Sequence, residues 1–203
     1  MEKKSTSKNS IYVVKNIITL NMKTLQQHIN ERLILNKDRV QQYKYFPKDK
    51  AELAEIINER DYVNKFDNGI LDLNDIDTSN IFNFAYLFER LESTKIDINN
   101  WNLSNATDIH GLFWNRFDIE EIYCDKLDVS NVKSFYGVFY HCKKLKKLNL
   151  NNWKFANGND FRFMFYHCIN LDLSFTDNWK ISPDAQTEQM FEKCNYAPKW
   201  YKI

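Results

Sequence analysis

The chain has 203 residues with 28 basic and 27 acidic side chains, a formal net charge of +1, so no global field steers it to nucleic acid or to an anionic membrane. Hydrophobic residues make up 43% and aromatic ones 15%, which suffices for a packed interior, and only four Gly and three Pro exclude a low-complexity chain. No uninterrupted apolar run of about 18 residues occurs, so no transmembrane segment is expected. The basic start MEKKSTSKNS lacks a following signal-peptide core and cleavage site, so a cytoplasmic location is expected.

Residues 1–46 read as an N-terminal helical, partly disordered segment. Behind Ser10, the residues Ile11, Val14 and Ile18 keep helical spacing, and Met22, Leu25, Ile29 and Leu33 continue it. Residues 47–69 read as a capping helix and turn. Pro47 disfavours helix at Phe46, Asp49 with Glu52 forms a capping box, and Leu53, Ile56 and Ile57 supply an apolar stripe. Asn68-Gly69 supplies the turn that follows.

Residues 70–194 repeat. Phe88, Phe113, Phe139, Phe165 and Phe191 step by 25, 26, 26 and 26 residues. The first halves align as LDLNDIDTSN (71–80), IDINNWNLSN (96–105), IYCDKLDVSN (122–131) and LNLNNWKFAN (148–157), and the fifth, LSFTDNWKIS (173–182), reads with one extra residue. Trp101, Trp153 and Trp179 share one position with Ile76 and Leu127. Asn80, Asn105, Asn131 and Asn157 share another, where the fifth repeat has Pro183, and Cys142, Cys168 and Cys194 share a third. A fixed period of this size predicts a stacked array. Alternating apolar residues predict one short strand per repeat, and second halves such as VKSFYGVFYHC predict a helical or 3₁₀ turn. The expected fold is an α/β repeat: a solenoid of five ~26-residue repeats with an N-terminal helical cap. Tyr196, Trp200 and Tyr201 in residues 195–203 predict a C-terminal cap.

Candidate chemistry is sparse. The cysteines lie 26 apart, unlike the close ligand pairs of compact zinc sites, and with Cys124 they read as small buried thiols. The polar residues Asp72, Asn74, Asp97, Asn99, Asp125, Asn149 and Asn151 are expected along the strand face. A calcium array would need ligands converging within each turn, so a solvated face or a polar recognition surface is the preferred reading. Its candidate residues are Asp97, Asn99, Tyr123, Asp125, Asn149 and Asn151, with Tyr123 as aromatic anchor. The lysine cluster Lys143, Lys144, Lys146 and Lys147 is interrupted by repeat leucines and reads as an exposed turn, so no nucleic-acid partner is expected. No catalytic motif is present, and neither a cofactor nor a metal is expected. Gly111 and Gly137, each two residues before the repeat Phe, read as turn glycines.

The stretch LNLNNWKFANGNDFRFMFYHC (148–168) resembles the signature LxLxxWxxSNVxxMxxMFxxC of the BspA-like bacterial leucine-rich-repeat family, and the resemblance covers residues 45–194. It implies a leucine-rich-repeat-type solenoid, often on bacterial surfaces and often adhesive. The chain departs from the signature at Phe161, Phe163 and Gly158, and at the cysteine position, where the first two repeats carry Leu91 and Arg116. The functional expectation is a monomeric, non-enzymatic module that binds a protein partner. The alternatives are an effector or toxin-related protein whose activity resides in residues 1–46, and a metal- or calcium-stabilised structural protein.

Overall fold

The computed structural model describes residues 42–64 and 69–202. The chain divides into two compact units, Met1–Lys44 and Tyr45–Ile203, and every element named below belongs to the second. The helices expected around Ile11–Leu20 and Met22–Leu33, and Asn68 of the expected turn, lie outside the described residues.

Helix α1 spans Lys50–Asn64. Its start follows from the capping residues: Asp49 Oδ1 accepts from the Glu52 N–H at 3.0 Å, and Glu52 Oε2 accepts from the Lys48 N–H at 2.9 Å. Leu53 and Ile57 are buried, and the helix is tied to the first repeat by polar groups. Asp61 accepts from the backbone N–H groups of Glu92 and Ser93 at 2.7 and 2.8 Å. Arg60 bonds Asp75 and the Asp72 carbonyl, and Asn64 donates to Ser93 Oγ at 2.8 Å. Tyr45 contributes a single parallel bridge to Ile76. Together these groups cover the start of the repeats. Among the described residues no helix is long and apolar enough to cross a membrane.

Four short strands follow, β1 (Leu71–Asp72), β2 (Lys95–Asp97), β3 (Glu121–Tyr123) and β4 (Lys147–Leu148), parallel and in chain order within one sheet. Leu71 pairs with Ile96, Ile96 with Ile122 and Ile122 with Leu148, so the chain returns to the sheet once per sequence repeat. A second parallel ladder of single bridges links Asn83, Asp108, Ser134, Asp160 and Gln186. Between the ladders the repeat phenylalanines stack. Successive ring centroids from Phe88 to Phe191 lie 4.8, 5.6, 5.4 and 5.6 Å apart, with interplanar angles of 15° or less. Each buried ring is worth roughly 1.5–3 kcal/mol, so this column runs the length of the interior as one continuous contribution.

Two expectations need correction. The second halves are not helical. Each is a run of turns with residues in the left-handed region, first at Tyr86, Gly111, Gly137, Phe163 and Gln189, then at Asn115, His141, His167 and Lys193. That alternation frees every second N–H to donate onward to the next repeat, as Gly111, Phe113 and Asn115 do to the carbonyls of Tyr136, Val138 and Tyr140.

The second correction concerns the fifth repeat, which contributes no strand. A 3₁₀ helix, Ser174–Asn178, stands in its place. There is no extra residue: Leu145 to Leu171, Trp153 to Trp179 and Cys168 to Cys194 are all 26-residue steps. Ser174 instead occupies the position of Leu148, and the apolar residue has moved one place earlier, to Leu173. Earlier repeats bury residues two apart, such as Leu71 and Leu73 or Leu148 and Leu150, the strand period. The fifth buries Leu173 and Thr176, three apart, the 3₁₀ period.

The other departures from the repeat also have physical reasons. A Cβ on Gly158 would lie 2.5 Å from the Phe161 ring, and Phe161 is buried and stacked on Phe135 at 5.0 Å, so the larger ring fills the space left by the missing side chain. Arg116 is 1% exposed. Its guanidinium donates to the Phe88 carbonyl at 3.1 Å and to the Ser93 carbonyl at 2.5 Å. The first of these is the bond the cysteines make later in the chain, where the thiols of Cys142, Cys168 and Cys194 donate to the carbonyls of Phe113, Phe139 and Phe165 at 3.3, 3.0 and 2.9 Å.

Candidate interaction surfaces

Most candidate residues of the strand face are engaged within the chain. Asp97 Oδ1 accepts from the Asn99 N–H at 3.0 Å and Asn149 Oδ1 from the Asn151 N–H at 2.9 Å, turns in which a short side chain bonds its own backbone two residues on. Asn99 Oδ1 accepts from the Lys126 N–H of the next repeat at 3.2 Å. Asp125 and Asn151, at the same repeat position, make no such side-chain bond among the described residues. Tyr123 is half-buried. Its hydroxyl donates to Glu121, and Lys147 both bonds that hydroxyl at 2.7 Å and lies 4.5 Å over the ring. Those bonds hold the Glu121 carboxyl below its ordinary range, first through Tyr123 and then through Lys147. Lys146 lowers Glu120 in the same way. Two lysines of the basic cluster are thus neutralised by glutamates of the preceding repeat.

The remaining repeat positions build the stack. Asn105, Asn131 and Asn157 each donate from the side-chain amide to a carbonyl of the preceding repeat, those of Ser79, Ser104 and Ser130, at 2.8, 2.8 and 2.7 Å. The indole N–H groups of Trp101 and Trp153 donate to the carbonyls of Leu73 and Cys124, both at 2.9 Å. Trp200, in the tail, donates to the Thr176 carbonyl at 2.8 Å, which occupies the same repeat position as Leu73 and Cys124. The tail therefore closes the array with the bond a sixth repeat would make. Burial pushes all four thiols up, that of Cys194 to about 11, so at neutral pH they are protonated hydrogen-bond donors rather than nucleophiles.

A surface that the sequence reading missed runs along the turns beside the bridge ladder. Tyr86 meets His110 and Trp114 edge-on at 4.8 and 5.7 Å. Trp114 stacks on Tyr140 at 3.9 Å, and Tyr140 stacks on Tyr166 at 5.0 Å. Tyr136 and Phe163 flank them, and His141 and His167 meet edge-on at 4.9 Å. Tyr86 is 41% exposed, and Trp114, Tyr136, Tyr140, Phe163 and Tyr166 are half-buried. Arg162 lies over Tyr136 and Lys193 over Tyr166. Burial raises the phenols of Tyr86 and Tyr140, keeping them protonated and able to donate. It also lowers both histidines, aided at His141 by His167 and then Lys143, and at His167 by Lys143. The signal in the sequence was the Tyr, Trp and His residues within two places of the first four repeat phenylalanines.

Among the described residues no group of three or more His, Cys, Asp or Glu side chains could hold a metal ion. No curated protein and no solved structure matches the chain. One family model matches it in two overlapping stretches, residues 49–123 and 83–200, which together take in α1, all four strands and both ladders. The chain belongs to that family, described as Mycoplasma protein of unknown function, DUF285.

Proposed function

We propose that the chain is a non-enzymatic protein-interaction module: a leucine-rich-repeat-type solenoid of five repeats, akin to the BspA-like proteins, that engages a protein partner through the aromatic ladder beside its turns. The observation that carries this reading is the continuous line of partly exposed rings from Tyr86 through Trp114 and Tyr140 to Tyr166. Tyrosine and tryptophan are the residues that dominate binding energy at protein interfaces. Large rings left partly in water across several repeats are a cost that a soluble scaffold avoids unless a partner covers them.

The way the rings are packed selects the class of partner. Trp114, Tyr140 and Tyr166 are stacked within 11° of parallel, so their faces are used on one another. Nucleic-acid bases need free faces to stack on. Ring edges and protonated hydroxyls suit the mixed apolar and hydrogen-bonding surface of a protein. The strand face, by contrast, has Asp97, Asn99, Asn149 and Tyr123 committed to bonds within the chain.

The test is site-specific photo-crosslinking of the full chain in extract of its native host, with the crosslinker at Tyr140 or Tyr166 and, in parallel, at Tyr123 or Asn149. A discrete protein adduct from the first pair and none from the second is the expected result. Adducts from the strand-face positions alone would overturn the assignment of the surface, and turnover of a substrate by the purified chain would overturn the non-enzymatic reading.

A further inference from the structure

We infer that the cleft between the fourth and fifth repeats is a binding site for a small aromatic carboxylate. The cleft follows from the shifted apolar pattern of the fifth repeat and does not depend on the docking surface proposed above.

On the bridge side the fourth and fifth repeats are held together in the usual way. The N–H groups of Phe161, Phe163, Phe165 and His167 donate to the carbonyls of Gln186, Glu188, Met190 and Glu192 at 2.7–3.2 Å. On the strand side the corresponding ties are missing. The 3₁₀ helix Ser174–Asn178 does not pair with β4. Pro183 stands where Asn105, Asn131 and Asn157 donate to the preceding repeat, so it offers no amide. The repeats are therefore joined by backbone bonds along one side, while on the other they meet through rings, Trp179 on Phe155 and Phe165 at 4.4 and 5.9 Å.

The opening is about 330 Å³, within the range of small-ligand pockets, and is lined by Asn151, Trp153, Lys154, Phe155, Phe175, Asn178, Trp179 and Lys180. Four aromatic side chains, two lysines and two asparagines face it, and no carboxylate does. Asp177 bonds the Tyr196 hydroxyl, and Asp128 accepts from the Ser130 N–H and feels the charge of Lys154 without forming an ion pair with it. Lys154 and Lys180 are exposed and have no ion-pair partner among the described residues.

Trp179 sharpens the assignment. Trp101 and Trp153, at the same repeat position, are 4% and 6% exposed and donate their indole N–H to the preceding repeat. Trp179 is half-buried, and its indole N–H makes no hydrogen bond among the described residues. Its ring still packs on Phe165 at 5.9 Å, as Trp153 packs on Phe139 at 6.3 Å, but its indole donor is left unused beside an apolar wall and two exposed lysines. A flat ring bearing one carboxylate satisfies all three: the ring packs against Trp179 and Phe155, which lie 4.4 Å apart, and the carboxylate accepts from the indole N–H and a lysine.

The test uses the full chain, with indole carboxylate as probe and the uncharged indole carboxamide as control, followed by NMR of the five tryptophan indole N–H signals. Saturable binding of the carboxylate, with the shift concentrated on Trp179, is expected, and weaker binding of the carboxamide. Lys154→Met and Lys180→Met should each weaken the carboxylate by roughly fivefold or less, as solvent-exposed ion pairs do. Trp179→Phe, which keeps a ring and removes the donor, should weaken it by roughly tenfold to a hundredfold, the value of a hydrogen bond to a charged group. The lysine variants replace exposed side chains, so an unchanged melting temperature separates loss of binding from loss of fold. Absence of a saturable shift, equal affinity for the two probes, or unchanged affinity in both lysine variants would overturn the proposal.

Discussion

The junction between the third and fourth repeats and the junction between the fourth and fifth are built on the same 26-residue step, yet only the first is closed on both sides. At the earlier junction, β3 pairs with β4, Asn157 reaches the Ser130 carbonyl and Trp153 reaches the Cys124 carbonyl. At the later one the bridge ladder and the phenylalanine column continue unchanged and the Asn195 amide reaches the Ile169 carbonyl, while the strand pairing and the counterparts of the Asn157 and Trp153 bonds are absent. The ring column and the strand side are thus separable parts of the stack. The column needs only a Phe at a fixed step, whereas the strand side needs its apolar residues two apart, and moving one of them by a single place is enough to lose it.

If the column carries the stability, its centre should be the most sensitive point. Phe139 lies between Phe113 and Phe165, stacked on both, and Phe139→Ala should cost about 3–5 kcal/mol in denaturant unfolding. Phe191 stacks on Phe165 on one side only, and Trp200 and Tyr201 meet its other side edge-on at 5.9 and 5.1 Å. The tail therefore recovers part of what an end repeat would lack, and Phe191→Ala should cost less than Phe139→Ala while remaining clearly destabilising. Equal costs would mean that the column does not act as a stack.

The bridge side offers a matched pair at one repeat position. Gly137 has φ +55° and Gln189 has φ +56°. A Cβ on Gly137 would lie 2.3 Å from the Trp114 ring, so Gly137→Ala combines left-handed strain with displacement of a ladder ring and should cost about 2 kcal/mol or more. Gln189 is exposed, bears the same strain and bonds only the exposed Glu192, so Gln189→Gly should stabilise the chain by up to about 1 kcal/mol. Thermal unfolding of the two variants should move in opposite directions. A shift of the same sign would show that backbone strain does not decide this position.

The period, the register of Phe, Trp, Asn and Cys, and the capping box at Asp49 and Glu52 were all legible in the sequence, because each reflects one residue type recurring in one environment. What escaped was the consequence of small departures. Reading LSFTDNWKIS as containing an extra residue preserved the strand pattern at the expense of the step, and the structure keeps the step instead, since the buried Phe, Leu and Cys columns outweigh two strand residues. The sequence favours the strand face as the recognition surface because polar residues line it beside one aromatic, Tyr123, and solenoids often dock partners there. Asp97, Asn99 and Asn149 are held in turns that depend on hydrogen bonds spanning two or 27 residues, and residue type alone does not reveal the second of these. The aromatic ladder went unrecognised because its members vary between Tyr, Trp, Phe and His, and only their shared backbone geometry aligns them.

The smallest stability effect is the one that tests the comparison most directly. Exchanging the two residues that moved, as Leu173→Lys with Ser174→Leu, restores the Lys147-Leu148 pattern of β4 in the fifth repeat. Burial gained at position 174 offsets burial lost at position 173, so the net change should stay within about 1 kcal/mol. The structural change should be larger than the energetic one. A fifth strand would pair with β4, the 3₁₀ helix would be lost, and the Trp179 indole would come within reach of the preceding repeat, as Trp153 does. Hydrogen exchange should then slow at the Trp179 indole N–H and at backbone amides near residue 174, and indole carboxylate should no longer shift the Trp179 signal. Unchanged exchange at both places would mean that the apolar pattern is not what separates the two junctions, and would leave Pro183 as the residue that holds the fifth repeat away.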